Sequence, residues 1–299
     1  MVAGVPERVR GCPGGAGSPG LSVIYVTVLG TAVSPGTEPW HPRPSVAGRY
    51  AHPVDYAIAL VEQGRLLAEV VRAADPATAV PTCPGWTLRQ LVTHVGRGDR
   101  WAAAIVESGG PVELRAVPDG RTPDDPADAV RWLLDGAPLL VDNVAVEPQK
   151  PVWTFLGPRP ARFWLRRRLH ESTVHRADAA LATGVPYRIE PELAADGVSE
   201  FLDLVALRPQ RHPAPVADGV ALHLHATDGD LGPAGEWVLR GDGSTLRWEH
   251  AHAKGAAAVR ATAADLLLAV TRRIPGDDPR LQVLGERAVW TGFLDRVAY

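Results

Sequence analysis

Residues 81–105 read PTCPGWTLRQLVTHVGRGDRWAAAI, and the rest of the chain is organised around this stretch. Pro81, Pro84 and Gly85 enforce a loop that ends at Trp86. Thr87 with Gln90 three residues later is a capping box, the signature of a helix start. Leu88, Leu91, Val92, Val95, Ala102 and Ile105 then recur at helical spacing and make one apolar face. His94 lies at the edge of that face. One such histidine is a weak signal, because a single histidine is more often a structural side chain than a ligand.

Its partners lie about eighty residues on, in HESTVHRAD, residues 170–178. Glu171 and His175 are one helical turn apart, so their side chains project together and can chelate one ion. His94 from another helix would complete a two-histidine, one-carboxylate set, which leaves a coordination position open, as a catalytic zinc requires. The plain alternative is an ionic pair on a solvated helix face. His170, about 100° away around the helix, is read as a surface or outer residue. Asp178 is three residues past His175 and can orient its imidazole, or pair with a neighbouring arginine. Arg97, Arg100, Arg166, Arg167, Arg168 and Arg176 crowd the region; most are expected in solvent, with Arg97 and Arg100 the candidates for holding a substrate carboxylate. Cys83 precedes Pro-Gly rather than a base, and a structural role is expected of it.

The flanking sequence supplies the remaining helices. Tyr56, Leu60, Leu67 and Val71 form a stripe within 54–74. Asp125-Pro126 opens a third helix, expected to kink or split at Gly136 and Pro138. A fourth runs over about 161–183 and stops at Gly184; another begins at Pro191. Residues 208–219, RPQRHPAPVADG, form the expected linker. Beyond it the pattern alternates: Val220–His225, Glu236–Arg240 and 246–252 read as strands between Asp-Gly turns. Ala263–Val270 and Ala288–Val297 are helical, and Leu281–Leu284 is a possible strand. The expected class is therefore two-domain, a helical bundle over 51–207 followed by a small α+β domain over 220–299. His223-x-His225 and His250-x-His252 each place two imidazoles on one face of a candidate strand, which would make a second metal site if the strands were neighbours.

The 31 Lys and Arg against 34 Asp and Glu give a net charge of −3, so no strong field argues for nucleic acid or an anionic membrane. Two cysteines exclude a disulfide framework and fit a reducing, cytoplasmic setting. Residues 1–50, rich in Gly, Pro and Ser and without period, are expected to be a disordered or upstream-extended segment. Their apolar run over 21–33 is too short to span a bilayer, although it has the length of a signal-peptide core. No P-loop, G-x-G-x-x-G after a strand, G-x-S-x-G or C-x-x-C appears.

The segments CPGWTLRQLVTHVGR, VWTFLGPRPARFWLRRRLHESTVHRADAALATG and IEPELAADGVSEFL, in that order, resemble the mycothiol-dependent maleylpyruvate isomerase family, over about residues 54–299. HATDGDLGPAGEWVLR and HAKGAAAVRATAADLLLAV resemble its second domain. The resemblance implies a DinB-like four-helix metal-binding bundle with a C-terminal α/β domain, and zinc held by His94, Glu171 and His175. It implies an isomerase or S-transferase that uses mycothiol on a small electrophile, acting as a monomer or weak homodimer. The rival implication is a non-catalytic, metal-bearing regulatory partner, associated with a redox-responsive sigma factor, on the same fold. Residues 1–50 have no counterpart in that resemblance, and Gly255 and Ala256 stand where a more polar stretch is expected.

Overall fold

Asp55 starts the first helix, its carboxylate accepting hydrogen bonds from the N–H groups of Ala57 and Ile58 at 3.1 Å each. In the computed structural model, which describes residues 54–207, 214–243 and 245–297, that helix is α1 (Tyr56–Arg72). The capping box forms as read, and α2 runs Leu88–Ser108. Helix α3 (Pro126–Val146) is capped by Asp125. The expected split at Gly136 and Pro138 does not occur. Gly136 seats the helix against α2, where an added Cβ would meet the Arg100 guanidinium at 3.0 Å and the Gly96 carbonyl at 3.3 Å, and this packing accompanies a helix that continues past the proline.

Two short strands, β1 (Pro151–Val152) and β2 (Arg159–Pro160), form an antiparallel ladder before α4 (Phe163–Thr183). Gly184, at φ 70°, ends α4 in the left-handed conformation and donates to the Ala180 carbonyl. Helix α1 packs on α3 and α4, and α2 on α3 and α4, which closes a four-helix bundle. Helix α4 is buried around most of its circumference. Trp164, Leu169, Ala177 and Ala180 are covered, and so are Arg167, Arg168, Glu171, Thr173, His175 and Asp178. Such burial tolerates charge only where each ion is paired, and α4 carries the paired network that defines the site.

Helix α5 (Pro191–Leu207) leads to β3 (Ala221–Ala226), β4 (Glu236–Asp242), β5 (Thr245–Glu249), β6 (Ala257–Ala261), α6 (Ala263–Val270), β7 (Gln282–Gly285) and α7 (Arg287–Arg296). The strands order β5-β4-β3-β6-β7, with β3 and β6 parallel and the other pairs antiparallel. Leu222 and Leu224 of β3, Trp237 and Leu239 of β4 and Val259 of β6 share one core with Phe201, Leu202 and Val205 of α5 and with α6 and α7. Helix α5, read from sequence as an extension of the bundle, thus builds the C-terminal core, and Trp237 Nε1 donates to Ser199 Oγ at 2.9 Å.

Three further differences have physical reasons. Strand β6 is Ala-Ala-Val-Arg-Ala, whose small residues carry little strand propensity, so it escapes a reading by pattern. The strand expected over 246–252 stops at Glu249, its ladder partner being Val238. Of the expected linker, residues 208–213 lie outside the described residues, while Val216 is buried in the C-terminal core. The expectations for residues 1–50 also lie outside the described residues. Among the described residues no helix is long and apolar enough to cross a membrane.

Candidate metal centre

The turn before α2 fixes where His94 sits. Cys83 N–H donates to the Val80 carbonyl and Trp86 N–H to the Cys83 carbonyl, while Val80 N–H donates to the Trp86 carbonyl. Gly85, at φ 82°, supplies the conformation that closes this loop. Trp86 is thereby laid against the two imidazoles, its ring 5.0 Å from that of His94 and 6.1 Å, nearly parallel, from that of His175. The histidine rings stand edge to face at 4.8 Å.

His94 Nε2 is 3.4 Å and His175 Nε2 3.5 Å from the same atom, Glu171 Oε2. These separations exceed ordinary N–H···O distances. Two atoms each bonded to one tetrahedral zinc at about 2.0–2.1 Å stand about 3.3 Å apart, which is the spacing found here. The second nitrogen of His175 is fixed as well: Nδ1 lies 2.8 Å from Asp178 Oδ2. Once Nε2 gives up its proton, a proton held on Nδ1 by Asp178 leaves the Nε2 lone pair facing Glu171, the tautomer that a carboxylate partner sets in metal-ligating histidines. The donor set and its orientation therefore fit a divalent ion.

Around this trio the charges are paired. Arg167 donates to Glu171 Oε1 at 2.7 Å and to Glu200 at 2.6 Å. Arg168, fully buried, donates to Asp99 at 2.8 Å and to the Val95 carbonyl at 3.1 Å. Burial alone would raise the Glu171 carboxyl, yet Arg167 and the two histidines hold it well below the usual carboxylate range. Burial pushes His94 down to about 4. Burial also acts to lower His175, but the Asp178 carboxylate, the Cys83 side chain and the facing Glu171 carboxylate outweigh it and raise the group to about 10.

Asp178 is the hinge of the arrangement. It accepts from Thr82 Oγ1 at 2.6 Å, from the Cys83 thiol at 3.4 Å, and from Arg273 through both Nε and a terminal nitrogen at 2.9 Å each. Arg273 comes from the C-terminal domain, three residues past the end of α6. Arg272 before it takes φ 62°, a conformation that costs a non-glycine residue about 1–2 kcal/mol. Nothing periodic in the sequence marks Arg273, and sequence reasoning missed it.

The sequence-derived candidates divide. His94, Glu171 and His175 come together, and Asp178 takes the orienting place expected of it. Cys83 is buried beside Asp178 rather than exposed. His170, expected at the surface or outside the ligands, is buried and bonds Asp196 at 2.7 Å. The arginines expected in solvent are largely covered: Arg167, Arg168 and Arg176 are buried, because each meets a carboxylate, carbonyl or ring. Arg97 and Arg100, expected to hold a substrate carboxylate, are instead engaged by the α2–α3 connection. Arg97 donates to the Gly120 carbonyl at 2.8 Å. Arg100 pairs with Asp119 at 3.1 Å and lies 4.3 Å above the Trp132 ring.

A helical bundle with an inward two-histidine, one-carboxylate cluster, joined to a small α+β domain that reaches back to it, defines the class. Residues 58–180 match the family profile described as the mycothiol maleylpyruvate isomerase N-terminal domain, and residues 192–292 that of its C-terminal domain. The chain belongs to the mycothiol-dependent maleylpyruvate isomerase family. It is 29% identical over 160 residues to uncharacterised proteins of two Mycobacterium tuberculosis strains, covering 51% of this chain and 79% of theirs. The crystal structure of the mycothiol-dependent maleylpyruvate isomerase superposes with a TM-score of 0.54 at 15% identity, covering 77% of this chain and 92% of that one, a likeness of fold.

Proposed function

We propose that this protein is a zinc-dependent enzyme that uses mycothiol to transform a small electrophile, by thiol-assisted cis–trans isomerisation or by S-transfer. The observation that carries the reading is the convergence of His94 Nε2, His175 Nε2 and Glu171 Oε2 at 3.4–3.5 Å with His175 Nδ1 held by Asp178. His94, Glu171 and His175 would hold a divalent ion, which would supply Lewis acidity that lowers the pKa of a thiol toward neutral.

The chain's own residues do the rest. Asp178 keeps the His175 proton on Nδ1, and Arg273 keeps Asp178 ionised and in place. Arg167 balances Glu171, so that the ligand set stays anionic without an unpaired buried charge. Trp86 walls one side of the two imidazoles and excludes water from them. In the isomerisation, the thiolate adds to the cis double bond, which becomes single and rotates. Expulsion of the same thiolate then restores the double bond as trans, with no net change in protons or electrons.

The test is turnover of maleylpyruvate and of a panel of small electrophiles by the full chain, with and without zinc and with and without mycothiol. Turnover that needs both supports the reading. Saturable mycothiol binding with no turnover across the panel would overturn it in favour of a regulatory role.

A further inference from the structure

The face of the C-terminal sheet turned away from the helices carries a second cluster. Leu222 and Leu224 of β3 point into the shared core; His223 and His225, alternating with them, point to the opposite face. Glu236 lies directly across the ladder from His225, and Trp237 and Leu239 face the core, so Glu236 shares the face with the two histidines. After Glu249 the chain leaves β5 and crosses β4 and β3 to reach Ala256, whose N–H donates to the Ala221 carbonyl at 2.8 Å. His250 Nδ1 donates to the Glu236 carbonyl at 2.9 Å. This bond turns the crossing segment so that His252 lies over Glu236.

The result is three imidazoles around one carboxylate. His223 Nε2 lies 2.5 Å from Glu236 Oε2, while His225 Nδ1 and His252 Nδ1 lie 2.7 and 3.0 Å from Oε1. The ring centroids are 5.2–6.1 Å apart, and one ligand atom from each of the four residues lies within 4.8 Å of all the others. A single carboxylate neutralises only one imidazolium, so a purely ionic role does not account for three rings directed at it. A closed set of three imidazoles and a carboxylate is a tetrahedral donor set for a zinc-like ion. Calcium and magnesium prefer oxygen donors.

We infer that His223, His225, Glu236 and His252 form a second divalent transition-metal site, separate from the bundle trio, that clips the 250–256 segment to the sheet. With four protein ligands it leaves no coordination position for substrate, so its role is structural. This inference stands independently of the function proposed for the bundle.

The test is titration of the metal-stripped full chain with cobalt(II), read by visible absorption and by metal per chain, with zinc competition. Four proteins are compared: wild type, His94→Ala, His252→Ala and Glu236→Gln. His252 is chosen because its side chain is 76% exposed and its loss leaves the core untouched; circular dichroism checks the fold of each. The His94→Ala protein is expected to keep one tight ion per chain. The His252→Ala and Glu236→Gln proteins are expected to lose that ion's affinity by more than about 100-fold, beyond the 10–100-fold typical of an outer partner. Equal metal uptake and affinity in wild type, His252→Ala and Glu236→Gln would overturn the inference, as would the absence of any tight ion in the His94→Ala protein.

Discussion

Arg273 grips Asp178 through two nitrogens at 2.9 Å each, and so an arginine of the C-terminal domain holds the carboxylate that orients a histidine of the bundle. Asp178 is fully covered and Arg273 nearly so, and breaking such a pair leaves a buried charge without a partner. Arg273→Ala is expected to cost about 3–5 kcal/mol of stability and about 10–100-fold in zinc affinity at the bundle site. Thermal unfolding and zinc competition titration check both. A variant that unfolds like wild type and binds zinc equally well would show the link to be idle.

Cys83 and Asp178 also make a candidate ligand group with His175, overlapping the trio. Cys83 packs within the turn before α2. Cys83→Ala is therefore expected to keep its zinc and lose about 1 kcal/mol of stability. Loss of the bundle ion on this substitution would make the thiolate a ligand.

The metal-free protein should bind its bundle ion with release of a proton. His175, raised to about 10, is an imidazolium at neutral pH, and Nε2 must give up that proton to become a ligand. His94, lowered to about 4, is already neutral. Between about pH 6 and 8 the zinc affinity should accordingly rise about tenfold per pH unit. Calorimetry in buffers of different ionisation enthalpy should count about one proton per bundle ion, best read in the His252→Ala background. The same shift sets a stability trend for the metal-free protein. The contribution of His175 is complete below its unfolded value of about 6.5 and is lost as pH rises through about 10, whereas that of Asp178, whose carboxyl is lowered, is lost in acid.

Gly96 lets α2 approach α3: a Cβ there would lie 2.4 Å from the Trp132 ring. Gly96→Ala is expected to destabilise by about 1–3 kcal/mol through overpacking, measurable by denaturant unfolding. An unchanged midpoint would mean that the ring moves aside freely.

How far the residues announce this arrangement differs from element to element. The capping box at Thr87 and Gln90, the stop at Gly184 and the shared face of Glu171 and His175 follow from local rules, and all three appear in the structure. What escapes is whatever depends on tertiary neighbours. The run Arg166–Arg168 looks like a solvated face until Asp99, Glu171, Glu200, Asp196 and Asp203 are brought to meet it. Arg273 has no local pattern to betray it, and α5 is placed by Phe201, Leu202 and Val205 meeting the C-terminal core. Glu236 reads as an ordinary strand residue, and only the β3–β4 register and the crossing segment after β5 bring His223, His225 and His252 around it.

The most direct measurement of the central claim is zinc per chain and mycothiol-dependent turnover in His94→Ala against wild type, both reconstituted and checked for fold. The expected result is the loss of one zinc per chain together with the loss of thiol-dependent turnover. Full zinc content with undiminished thiol-dependent turnover would contradict it.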